Sequence, residues 1–69
     1  MYVWVNSTAG WVIHGRARKS KERAVWVAEL LERRNGWETV AGSQKPSPGA
    51  PRQNAPSAEE AETSPAAFD

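Results

Sequence analysis

The chain has 69 residues, with nine Lys/Arg against eight Asp/Glu, and 39% of its side chains are apolar. One small domain is the most that this length can build, and such a domain is only marginally stable on its own. It has no Cys and a single His, which excludes a disulfide framework and a thiolate metal site and argues against a zinc site within one chain.

Residues 2–5, Tyr-Val-Trp-Val, are β-branched and aromatic and predict a strand. Val3 and Val5 face one side of it, Tyr2 and Trp4 the other. Turn formers fill 6–10 and predict a hairpin connection. Residues 11–17 predict a second strand, with Trp11 and Ile13 on one face and Val12, His14 and Arg16 on the other. Gly15 weakens that strand or marks a bulge or a close approach.

Residues 20–36, SKERAVWVAELLERRNG, predict one amphipathic helix. Ser20 is a good N-cap, and Glu22 sits in the first turn, where the helix dipole favours an anion. Arg33 and Arg34 lie in the last turn, and Asn35-Gly36 closes the end because Gly accepts the left-handed conformation. Ala24, Val27, Ala28 and Leu31 form one apolar stripe. Leu30 and Trp26 widen it towards the charged face, where Trp26 either lies over the sheet margin or meets a partner. A rival reading makes 24–31 a strand, since Ala-Val-Trp-Val-Ala is β-prone and Asn-Gly is a hairpin turn. Caps and charge placement favour the helix.

Residues 37–41 predict a short third strand, with Trp37 and Thr39 on one face and Val40 on the other. The result is an α+β domain over 1–42, β-β-α-β, with a three-stranded sheet and one helix on one face. Strand three most simply lies beside strand one, parallel to strand two. One helix covers one face, so some of Tyr2, Trp4, Trp11, Val12 and Trp37 must look outward. An exposed apolar face of this kind implies a partner, either a second copy or a ligand surface.

From residue 43 the composition changes. All five Pro residues lie beyond it, and Phe68 is the one large apolar side chain there. Residues 43–69 therefore predict a disordered tail, too poor in apolar surface to offset its ordering entropy. Ser57-Ala58-Glu59-Glu60 has capping-box spacing, with too short a run after it for more than a nascent helix. The tip, Ala66-Ala67-Phe68-Asp69, resembles the acidic, Phe-ending tips of single-stranded-DNA-binding proteins, except that Asp69 follows the Phe.

The clearest chemical signal is the basic cluster Arg16, Arg18, Lys19, Lys21 and Arg23, at the end of strand two and the start of the helix. Lys21 and Arg23 oppose the helix dipole, so helix stability does not explain them. Free N–H groups and cations at a helix start suit phosphate. Residues 1–42 hold seven Lys/Arg against four Glu, a balance of +3, and 43–69 hold two against four acids, a balance of −2. The competing reading of the cluster is a solvated, solubilising loop.

His14 reads as a structural His, because no second residue supports it as a base. No nucleophile elbow, phosphate loop, metal-ligand spacing or fixed pair of carboxylates is present, so an enzyme, a cofactor and a small-molecule substrate are not expected. No stretch is long and apolar enough to span a membrane, and no signal-peptide pattern opens the chain, which implies the cytoplasm.

Residues 10–40, GWVIHGRARKSKERAVWVAELLERRNGWETV, resemble short uncharacterised proteins of actinobacteria and their phages. There, a strand ends in a small basic turn, an Ala/Leu/Arg helix follows, and a strand begins just after Gly. The resemblance implies no activity. Two functions remain. One is a small regulatory protein that contacts DNA or RNA through the cluster 16–23. The other is a protein–protein module, a homodimer or an accessory protein, that uses Tyr2, Trp4, Trp26, Leu30 and Trp37.

Overall fold

The computed structural model describes residues 1–62. A hairpin of β1 (Tyr2–Ser7) and β2 (Gly10–Arg16) leads into α1 (Lys21–Asn35), then β3 (Thr39–Gly42) and a single helical turn, α2 (Ala58–Ala61). The sheet order is β2-β1-β3, and β1 is antiparallel to both neighbours. Two antiparallel steps leave β3 parallel to β2. The α+β class, the three-stranded sheet and the main helix agree with the sequence reading.

The hairpin is tighter than its turn formers suggest, because pairing continues to Ser7 and Gly10. Ser7 Oγ donates to Gly10 O at 2.6 Å and accepts from Ala9 N at 3.1 Å, which satisfies the turn locally. Gly10 has φ 99°, an angle that side chains rarely adopt.

In α1, Ser20 Oγ accepts from Arg23 N at 3.3 Å. Gly36 takes the left-handed conformation at φ 73°, and its N–H donates to Glu32 O at 3.0 Å. Both caps are those expected, and the strand alternative for 24–31 falls. Ala24, Val27 and Ala28 are buried against Val3 and Ala17, with Met1, Leu31 and Ala41 packed on the margin. Small alanines on the helix let it sit close to the sheet.

β2 departs from simple alternation. Val3 pairs with Gly15 but Trp4 pairs with Ile13, so His14 is an extra residue on β2. The bulge falls beside the glycine that flags it, and it re-aims everything after it. Arg16 pairs with Tyr2, which puts it on the Trp4 and Ile13 side rather than with Val12 and His14. Its guanidinium lies 5.9 Å from the Tyr2 ring centre. Ala17 in turn reaches the core beneath α1.

Residues 43–57 form no helix or strand, as their composition implies. They nevertheless follow the domain closely. Trp11 Nε1 donates to Ser47 O at 3.0 Å, and Asn6 Nδ2 donates to Ala50 O at 3.3 Å. Arg52 then reaches the C-terminal end of α1, where it meets Glu32 at 3.1 Å. Thr8 N donates to Pro56 O at 2.9 Å, and α2 packs against β2 and β1. The expected capping box appears as one turn: Ser57 Oγ accepts from Glu60 N at 3.1 Å. The Phe68 tip lies outside the described residues.

Candidate nucleic-acid interface

The five cations of 16–23 follow one another through the junction of β2 and α1, where the backbone is fixed on both sides. Ala17 N donates to Met1 O at 2.9 Å, and the Met1 amine donates back to Ala17 O at 3.1 Å. Ala17 is buried and Ser20 caps α1, so the two residues between them, Arg18 and Lys19, stand at an exposed tip. Lys21 and Arg23 are exposed in the first turn of the helix. Arg16 is half-buried beside Tyr2 at the end of β2.

Within 16–23 the cations number five and the carboxylates one, Glu22, a local balance of +4. Capping leaves part of the first turn open. Arg23 N–H goes to the Ser20 hydroxyl, while the Lys21 and Glu22 N–H groups precede any intrahelical acceptor. Arg23 also lies across the Trp26 ring, with its guanidinium carbon 4.6 Å from the ring centre. That contact gives one cation a structural role.

The aromatic residues and Leu30 differ in exposure. Trp11 is buried; Tyr2, Trp4, Leu30 and Trp37 are half-buried. Trp4 Nε1 donates to Gly42 O at 3.2 Å, and its ring meets Tyr2 edge-on at 5.8 Å. Trp37 meets His14 edge-on at 6.1 Å. The sheet face opposite α1 is thus covered in part by the chain itself, through the segment after β3. Its open remainder is Ile13 and Val40, 41% and 38% exposed, on either side of Trp4.

Trp26 is different, at 50% exposed. It stands in a shallow depression of about 440 Å³ lined by Lys21, Glu22, Val25 and Glu29. All of these residues belong to α1, so the depression is the helix surface around an indole rather than a cleft between elements.

His14 is buried, with Nδ1 2.6 Å from Ala61 O. A carbonyl can only accept, so Nδ1 carries the proton and the ring ties α2 to β2. Among the described residues no cluster of three His, Asp or Glu could hold a metal ion. No helix among them is long and apolar enough to cross a membrane.

Asn6 escapes a reading by pattern. It lies within the expected turn but is buried in β1, and its side chain bridges Glu38 Oε1 at 2.9 Å and Ala50 O. The local signal was weak, since Asn among turn formers reads as turn. Arg52 likewise sits in a proline-rich stretch with nothing nearby in sequence to pair with.

Compared with family models, curated proteins and solved structures, the chain matches none.

Proposed function

We propose that this is a small, non-enzymatic regulatory protein of the cytoplasm that contacts the phosphates of DNA or RNA through Arg16, Arg18, Lys19, Lys21 and Arg23. The observation that carries the reading is the concentration of exposed cations around the start of α1 with one carboxylate among them. A surface of that kind attracts a polyanion by releasing its counterions, with little dependence on sequence. The Trp26 indole, lying against Arg23, offers a face on which an unpaired base can stack beside the phosphate contacts.

The test is a salt titration of binding to labelled duplex and single-stranded DNA. The wild type is compared with Arg18→Ala/Lys19→Ala/Lys21→Ala. Each phosphate contact removed should flatten the plot of log affinity against log salt by about one unit. Undetectable binding at low salt, or a slope indifferent to the substitutions, would overturn the reading.

A second reading is favoured by the open apolar residues of α1. Trp26 and Val25, 50% and 38% exposed, would serve a protein module that forms a homodimer or docks on a larger protein. Trp26→Ala separates the two. It should weaken duplex binding little under the first reading and abolish association under the second.

A further inference from the structure

We propose that the outward row of α1 is a self-association surface whose occupant is α1 of a second copy, packed antiparallel. The proposal rests on the second of the two readings above and names its partner. It makes no use of the cations of 16–23.

α1 buries Ala24, Val27 and Ala28 against the sheet. On a helix of 3.6 residues per turn, the row directly opposite is Glu22, Trp26, Glu29 and Arg33, spaced by four, three and four. All four are exposed. Val25, also exposed, and the half-buried Leu30 flank the row on its two sides. Glu22 and Arg33 make no side-chain hydrogen bond or ion pair among the described residues. Glu29 and Arg33 stand at the spacing for an ion pair along a helix, yet they form none. Arg23 lies across the Trp26 ring, and the depression beside that ring, lined by Glu22, Val25 and Glu29, is open.

The order of the charges selects the occupant. Along α1 the row runs acid, indole, acid, base. A parallel copy sets Glu22 against Glu22 and Arg33 against Arg33, which repels. An antiparallel copy, with its twofold axis between residues 27 and 28, sets Glu22 level with Arg33 of the other copy. The symmetry makes that contact twice. The same axis sets Trp26 level with residue 29 of the other copy, within a turn of that copy's Trp26 and Leu30 on the same flank. The helix dipoles also oppose each other, start beside end. α1 has 15 residues and is therefore about 22 Å long. One helical row buries less than a standard interface, so the pair is weak and reversible, with a dissociation constant on the order of 100 μM. Pairing covers the indole, and the paired chain keeps the phosphate contacts of 16–23 without base stacking on Trp26.

The experiment is sedimentation equilibrium of the full chain from about 10 μM to about 1 mM, with the Trp26 indole signal followed by NMR over the same range. The wild type should dimerise, and the Trp26 signal should move with concentration. Glu22→Arg and Arg33→Glu each set like charges level at both symmetric contacts, so each should weaken the dimer about tenfold. Both side chains are exposed, so neither substitution disturbs the core. Mixed together, the two variants place opposite charges at both contacts again, and a heterodimer of wild-type affinity should form. A chain monomeric to about 1 mM would overturn the proposal together with the homodimer reading. A dimer indifferent to both reversals but lost in Trp26→Ala would overturn the antiparallel pairing and leave the protein-module reading standing. Weakened variants that fail to recover on mixing would overturn the pairing as well. None of these outcomes bears on the salt titration, since both variants keep Arg16, Arg18, Lys19, Lys21 and Arg23.

Discussion

The two faces of the sheet are closed by different physics. On the α1 side, Val3 and the helix residues Ala24, Val27 and Ala28 exclude water by apolar packing. On the other side, Trp4, Asn6 and Trp11 use side-chain N–H groups to hold backbone carbonyls of Gly42, Ala50 and Ser47. The first closure is area-driven and non-directional. The second is directional, and each bond contributes little net energy because water competes for the same groups. One small helix covers half of the sheet. A proline-rich segment, already short of conformational entropy to lose, covers part of the other half without an apolar side chain larger than proline.

If the comparison is right, substitutions on the two faces should differ in size. Val3→Ala, at a side chain with no exposure, should cost about 2 kcal/mol in thermal or denaturant unfolding. A loss well below 1 kcal/mol would mean that the α1 face is loosely packed. Next comes Gly36→Ala, which forces a side chain into the left-handed region and brings its Cβ to 3.4 Å from Asn54 Nδ2. It should cost about 1 kcal/mol by the same assay, and more if Asn54 cannot shift.

Trp11→Phe deletes the donor to Ser47 and puts a smaller ring at a buried position. A loss of about 1 kcal/mol is expected in global stability. Protease cleavage within 43–57 should accelerate more than unfolding of α1 does. Equal acceleration of both would mean that the two faces form one cooperative unit. The smallest effect belongs to Arg52→Ala, which removes an exposed ion pair with Glu32. A change of about 0.3 kcal/mol, vanishing at high salt, is expected in chemical denaturation.

The same contrast explains what could be read in advance. The stripe Ala24, Val27, Ala28 and Leu31, the Ser20 cap and the Gly36 stop are local or periodic signals, and α1 follows them. Connectivity made β3 beside β1 the simplest order without fixing it, and the sheet takes that order. The bulge was visible only as Gly15, and its consequence, Arg16 turned to the Tyr2 side, depended on pairing with β1. The course of 43–57 was hidden, because its partners lie about forty residues away and are single hydrogen bonds with no repeating pattern. Of the candidate interface, the cluster 16–23 was legible as charge. The contact of Arg23 with Trp26 followed only from helical spacing combined with rotamer choice. The surplus of aromatic residues was legible too. Its resolution was not, since composition does not reveal that the chain covers its own sheet.

The most direct test of this account is hydrogen exchange at the four indole N–H groups, followed by NMR in the full chain. The Trp4 and Trp11 protons, bonded to Gly42 and Ser47, should exchange slowly, and Trp11 should show close contacts to residues near Ser47. The half-exposed Trp26 proton should exchange at close to the solvent rate. A Trp11 proton exchanging as fast as that of Trp26 would mean that the segment after β3 does not cover the sheet, and the account of the second face would fail.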